Sequence, residues 1–378
     1  MRVLMFTLDP KMADQQSAVR ARHREYAEQL HELVVVVLAK TGRTGTEQIG
    51  PLTLVYRPQG GRFKALYWLT GLVWGVKEGK RQLARLRVAG GCVVVSSPEP
   101  FGVGLIAYLV AWSACAPLHI QVHTDISSKA WQRESVKNRL FLLLAKFLLP
   151  RAQGVRVVSA RVKRFLVELR VMSHESRIRA LPVFVDTEKF RVATPAFDLK
   201  KKYPQFEQIV LVVSRLVPEK RVDLAIQVFA EVHKTFPKTG LIIVGEGPER
   251  ANLESRISDL ESLRPTPYAL RPSIVFAGWS NDLASYYKGA DVLLVTSKYE
   301  GYGMQIVEAL ASGCPVVSTD VGIAREAGAT VVENEEELAP ALEDTLRHKS
   351  KGELRPDSTI SKQDYLDRWR KSLEQCLS

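Results

Sequence analysis

The chain has little cysteine: four residues in 378, Cys92, Cys115, Cys314 and Cys376. Their wide spacing leaves no Cys-x-x-Cys pair, which excludes a zinc clamp or a dithiol redox motif of that kind. They read as reduced, mostly buried thiols of a cytosolic protein. There is no Asp-x-Asp and no His/Cys cluster at ligand spacing, so nothing is evidently arranged to hold a catalytic divalent metal. No solenoid-type repeat or low-complexity tract is present, which removes array architectures. Residues 1–10 lack the small-residue cleavage site of a secretory signal and read instead as a first β-strand. One stretch, 102–122, runs without Asp, Glu, Lys or Arg and by length could span a bilayer. Pro117, His119 and Gln121 interrupt it, and a helix over 103–114 followed by a buried strand over 118–123 accounts for the same residues.

What is present points to a folded protein of two domains: 46% of residues are hydrophobic, and the length exceeds that of one ordinary core. Near-continuous apolar runs read as buried parallel strands at 3–6, 33–38, 92–95, 118–122 and 155–158, and again at 209–213, 241–244, 274–277, 292–295 and 315–318. Segments of helical length separate them. Two such βα series predict two doubly wound, Rossmann-like α/β domains, joined near 181–197, where Pro182 and Pro195 fall in a stretch without periodicity. The expected division is a first domain over 1–190, a second over 191–360, and a C-terminal helix over 361–378 packing back toward the first. Ligands of open α/β sheets bind beyond the carboxyl ends of strands, so the expected site is the interdomain cleft.

Charge is divided unevenly between the halves. Residues 1–190 carry 29 Lys and Arg against 14 Asp and Glu, a net +15, whereas the remainder is −3. Any anionic surface is therefore met by the first half.

Four motifs stand at strand ends. Tyr299-Glu300-Gly301-Tyr302-Gly303 reads as a loop, and Met304 begins a helix in which Ile306/Leu310 and Val307/Ala311 recur at a spacing of four, with Gly313 suited to its C-terminal cap. Glu300 on the loop and Glu308 in the helix can accept from hydroxyls of one ligand, while the amides of Gly303, Met304 and Gln305 at the helix start can bind an anion. Two glutamates eight apart are common by chance, so the pair alone does not identify a site. After the strand 209–213, Arg215, Lys220 and Arg221 offer cations for a diphosphate, or form an ordinary solvated loop. Gly245-Glu246-Gly247-Pro248-Glu249-Arg250 mimics a dinucleotide fingerprint, but Arg250 stands in place of the third glycine and Pro248 intrudes. It reads as a tight strand-to-helix turn. His123 closes the strand 118–122, where it can be structural or can hydrogen-bond a sugar.

These residues together resemble the GT-B fold glycosyltransferases of the family 4, group 1 type, most densely over 212–326. The resemblance implies a retaining transfer from a nucleotide-sugar donor without metal or other cofactor. It implies that Glu300 and Glu308 form the family's Glu-x7-Glu element on donor sugar and ribose, and that Gly303, Met304 and Gln305 bind sugar and diphosphate. Arg215 and Lys220 would grip the diphosphate, Gly245 and Gly247 line the donor site, and His123 face the cleft from the first domain, with Asp186 in the interdomain segment. Two departures stand out. The loop from Lys11 to Ala18 has none of the glycines usual after the first strand, and the segment after Gly322-Ile323-Ala324-Arg325-Glu326 is short.

In such enzymes the first domain takes the acceptor, and here it carries the basic excess. Stretches 62–87 and 129–170, the latter including 140–149, mix cations with aromatic and aliphatic residues. They read as surfaces for an anionic membrane, or as core helices with solvated cations. The expectation is a cytosolic enzyme resting on the inner membrane face and acting on a glycan or lipid-linked acceptor in cell-surface polysaccharide or glycolipid synthesis. Nucleic acid is not an expected partner, since no aromatic stacking platform is identifiable. A sugar-nucleotide epimerase or phosphorylase of the same fold, or a non-catalytic nucleotide-sugar-binding protein, fits the same motifs.

Overall fold

A computed structural model describes residues 1–57, 64–168, 175–263 and 270–377. The chain divides into two compact units, Met1–Pro182 with Lys362–Ser378, and Val183–Ser361.

The first unit is an eight-stranded sheet of β1 (Arg2–Thr7), β2 (Glu32–Val37), β3 (Gly45–Ile49), β4 (Leu52–Tyr56), β5 (Val93–Ser97), β6 (Leu118–Val122), β7 (Gly154–Val157) and β8 (Ile178–Ala180). The strand order is β3-β4-β2-β1-β5-β6-β7-β8, parallel except for the β3–β4 pair. The Val-rich runs form central strands because β-branched side chains suit a pleated surface covered on both faces. In β2, Leu33–Val37 are fully buried. The charge-free stretch resolves into a helix, Gly102–Ser113, followed by β6, and among the described residues no helix is long and apolar enough to cross a membrane. The C-terminal helix Lys362–Glu374 lays Tyr365, Leu366, Trp369 and Leu373 onto the first unit, and Trp369 stacks on Tyr26 at 4.2 Å between ring centroids.

The second unit is a parallel sheet of β9 (Gln208–Val213), β10 (Thr239–Val244), β11 (Ile274–Gly278), β12 (Val292–Val295), β13 (Val316–Thr319) and β14 (Thr330–Val332), in the order β11-β10-β9-β12-β13-β14. The order reverses between β9 and β12, which makes their carboxyl ends the topological switch point where open α/β sheets bind ligands. The helix Val222–Thr235 turns Val222, Ile226, Phe229 and His233 to the core at the helical period. Phe229 is wholly buried among Leu241, Ile243 and Leu294, a burial that stabilises by about 1.5–3 kcal/mol.

Three expectations are corrected. The units part at Pro182–Val183, within the expected join of 181–197 but earlier than the break after 190, because the helix Thr187–Val192 belongs to the second unit. There Lys288 Nζ donates to the carbonyls of Arg191 (2.8 Å) and Ala193 (2.6 Å), and Phe190 meets Tyr287 edge to face. Strands β3, β4, β8 and β14 are additional to the expected ten: β3 and the three-residue edge strands β8 and β14 lack a long apolar run, and Thr53 interrupts that of β4. The cysteines are not mostly buried: Cys314 and Cys376 are, whereas Cys92 and Cys115 are exposed.

Candidate functional site

The β9 and β12 ends are joined by one backbone hydrogen bond and by a threonine hydroxyl. Lys298 N donates to Glu219 O at 2.8 Å, and Thr296 Oγ1 donates to the carbonyls of Lys220 (3.1 Å) and Arg221 (2.8 Å). This joins the turn Pro218–Lys220 to the Glu300 loop, although the two lie far apart in sequence. Lys220 Nζ reaches Glu300 Oε1 at 2.5 Å, and the same oxygen accepts from Ser297 Oγ (2.8 Å) and Gln305 Nε2 (2.9 Å). Both ionic side chains are largely withdrawn from water, at 13% and 10% exposure, so the attraction is stronger than in a surface pair.

Gly303 adopts φ +91° ahead of the helix Met304–Ala311, a left-handed geometry that glycine takes without a Cβ clash. The helix start leaves the amides of Met304 and Gln305 without intrahelical acceptors, which is the arrangement that binds anions. Glu308 is buried within this helix, and Tyr287 Oη donates to its Oε2 at 3.0 Å. Burial raises the Glu308 pKa, with the Tyr287 hydrogen bond and the Lys189 charge pulling it back. Tyr287, wholly buried beside that carboxylate, is held well above the ordinary phenol range.

The glycine turn after β10 approaches the β9 loop backbone to backbone. Leu216 N donates to Glu246 O at 2.9 Å and Glu249 N to Leu216 O at 3.1 Å. A Cβ at Gly245 would collide with the Ser214 carbonyl, and one at Gly247 with that of Leu216. These glycines therefore hold the turn after β10 against the loop after β9, a tighter requirement than the turn expected from the sequence.

The structure thus gathers Lys220, Glu300 and Gln305 into one cluster with Gly303 and Met304 adjoining, while Glu308 is engaged by Tyr287. Arg215 is not part of the cluster; its guanidinium is exposed and pairs with Glu219 at 3.2 Å. His123 belongs to the first unit, one residue beyond β6, with Nε2 3.3 Å from Gln121 Oε1. The residue is exposed. The density of protein around its ring, with the charges of Arg156 and Arg22, shifts its pKa downward, which favours the neutral imidazole. Ser297 and Tyr287 are not singled out by the sequence. Ser297 carries a signal, a hydroxyl three residues before Glu300; Tyr287 carries none. Among the described residues no three or more His, Cys, Asp or Glu group together as metal ligands would.

Comparison with known proteins agrees with this architecture. Residues 16–189 match the family described as Glycosyltransferase Family 4, and residues 207–348 match Glycosyl transferases group 1. An alpha-monoglucosyldiacylglycerol synthase of Streptococcus pneumoniae is 25% identical over 236 residues, covering 60% of this chain and 51% of that protein. The chain spans about half or less of the length of the first curated relatives it matches. Alr3699/HepE of Anabaena, solved with UDP and glucose, superposes with TM-score 0.70 at 17% identity over 100% of this chain and 99% of its own. Sucrose-phosphate synthase of Thermosynechococcus elongatus superposes with TM-score 0.71 at 18% identity, over 100% and 96%. At these identities the superpositions establish the fold, and the two family models extend over both sheets. With the paired Rossmann-like sheets and the switch-point cluster, they establish that the chain belongs to the GT-B fold glycosyltransferases of group 1.

Proposed function

We propose that the protein is a retaining, metal-independent glycosyltransferase that passes a sugar from a nucleotide donor to a glycan or lipid-linked acceptor on the inner membrane face, in cell-surface polysaccharide or glycolipid synthesis. The observation that carries the reading is the convergence of Lys220, Ser297 and Gln305 on Glu300 Oε1 beside the helix start at Gly303. In this reading the donor diphosphate draws Lys220 away from Glu300 and takes Arg215 and the Met304 and Gln305 amides as further partners. Glu300 then accepts from the donor sugar and Glu308 from the ribose, and His123 contacts a sugar hydroxyl. The acceptor oxygen bonds to the anomeric carbon as the bond from that carbon to the phosphate oxygen breaks. The electron pair leaves with the diphosphate and the acceptor proton passes to it. Attack on the face that the diphosphate vacates retains configuration. Lys220, Arg215 and the helix amides lower the barrier by meeting the charge that develops on the leaving group.

The membrane part of the reading is supported by the helix Val136–Leu148. Val136, Leu140, Leu143 and Phe147 line one face and are 71%, 59%, 62% and 42% exposed. Lys137, Arg139 and Lys146 flank them, and the helix has no acidic residue. Tyr108 packs edge to face on Phe147, and Arg151 lies 3.8 Å over the same ring. An apolar stripe between cations suits an anionic bilayer. Of the other expected stretch, residues 62–63 and the side chains of 64–69 lie outside the described residues, as do residues 169–170 at the end of the second.

Thermal-shift measurement against nucleotides and nucleotide sugars in EDTA, followed by NMR of the product anomer, tests the reading. Stabilisation by a nucleotide sugar and a product of retained configuration are expected. Stabilisation by NAD alone, a strict Mg²⁺ requirement, or an inverted product would overturn it. Isomerisation of the donor without acceptor would identify an epimerase, and a need for inorganic phosphate a phosphorylase.

A further inference from the structure

Among the described residues of the first unit, Arg156 on β7 is the largest charged side chain that is fully buried, at 1% exposure. Its guanidinium donates from Nε to Leu181 O (3.3 Å), from Nη1 to Gln121 Oε1 (2.9 Å), and from Nη2 to Pro182 O (2.9 Å) and Tyr365 Oη (3.0 Å). All four acceptors are neutral. A buried cation without a carboxylate is expensive, and here the cost is offset by these four acceptors and by the Tyr365 ring, whose centroid lies 5.4 Å from the guanidinium carbon. Besides tying β7 to residues 181–182 and to the C-terminal helix, the guanidinium orients the amide of Gln121.

Guanidinium has donors and no acceptor. Beside Arg156 Nη1, the Gln121 amide has to present its oxygen, since the flipped amide would set two donors against each other. Gln121 is itself 5% exposed, so water does not offer it an alternative. The same oxygen faces His123 Nε2 at 3.3 Å. A neutral imidazole carries one proton, and only with that proton on Nε2 is this contact a hydrogen bond. We propose that Arg156, through Gln121, fixes His123 in the Nε2–H tautomer, leaving the Nδ1 lone pair to accept from a hydroxyl of the bound sugar. Arg156 and Gln121 are then positioning residues. The Arg156 charge also helps keep the imidazole neutral. The hydroxyl contact rests on the glycosyltransferase reading above; the tautomer does not.

Long-range ¹H–¹⁵N correlation on ¹⁵N-histidine-labelled protein reads the tautomer directly, with the His123 signal identified by its loss in His123→Ala. The wild type is expected to show protonated Nε2 and unprotonated Nδ1. Arg156→Glu lets the Gln121 amide flip and donate to Nε2, moving the proton to Nδ1. If that variant does not fold, Arg156→Met removes the constraint with little change in bulk and gives a mixture. Gln121→Glu keeps the Nε2–H form and raises the imidazole pKa by about 1 to 3. Loss of the fixed acceptor is expected to lower kcat/KM about 3- to 10-fold. A wild-type Nδ1–H form, or a tautomer unmoved by both Arg156 substitutions, overturns the proposal. The expected tautomer with undiminished transfer by His123→Ala would instead overturn the sugar contact and leave the tautomer assignment standing.

Discussion

Substitution of Lys220 by Met separates a buried, coupled ion pair from an incidental one. In the wild type, Glu300 Oε1 takes a cation at 2.5 Å and two neutral donors at 2.8 and 2.9 Å, with both charged side chains nearly out of solvent. Removing one partner of a buried pair costs about 3–5 kcal/mol when the remaining charge is uncompensated. The Ser297 and Gln305 hydrogen bonds persist in the variant, each worth about 1.5 kcal/mol or more to a charged acceptor. The expected loss for Lys220→Met is therefore about 2–3 kcal/mol, at or below the lower end of that range. Adding Glu300→Gln removes the stranded charge, so the double variant should be more stable than Lys220→Met by at least about 1 kcal/mol. Because the protein has two units and a single unfolding transition is not guaranteed, the assay is native-state hydrogen exchange of the β9, β10 and β12 amides, which follows the second unit by itself. Equal protection in the single and double variants, or a Lys220→Met loss below about 0.5 kcal/mol, would refute the reasoning.

The other predictions concern its neighbours and the apolar stripe. Glu308 has a folded-state pKa raised above the ordinary carboxylate value by burial. The folded state thus holds its proton more tightly than the unfolded state, and stability falls as pH rises from about 4.5 through the folded pKa. Glu308→Gln should flatten that decline in a pH series of denaturation curves while weakening nucleotide binding by calorimetry. Tyr287→Phe takes a donor from the buried carboxylate, so it should steepen the decline and lower stability at neutral pH by about 1.5–3 kcal/mol. Gly245→Ala and Gly247→Ala drive a methyl into the Ser214 and Leu216 carbonyls; each should lower stability by more than about 2 kcal/mol and reduce nucleotide affinity. Leu140→Gln with Leu143→Gln should abolish sedimentation with anionic liposomes. Wild-type binding should weaken with added salt, because the flanking cations act through a screened field.

Much of this architecture is a local property of the chain. The ten apolar runs became strands because such residues, once hydrogen-bonded in a sheet, bury on both faces in its interior, and only partly at an edge such as β11. The loop and helix from Glu300 to Glu308 were legible because glycine at a left-handed position and a four-residue apolar spacing are written locally, as was the sequence separation of the two carboxylates. The charge asymmetry needed only counting. What the tertiary structure alone decided is which partners these residues have. The strand order brings Lys220 to Glu300 across 80 residues. It also places Tyr287 under Glu308, sets Arg156 against Gln121, and leaves Leu140 and Leu143 outside while Leu148 and Leu149 go inside. No local pattern encodes such pairings. They depend on which strands become neighbours and how far each turn reaches, and both are fixed only when the sheets assemble.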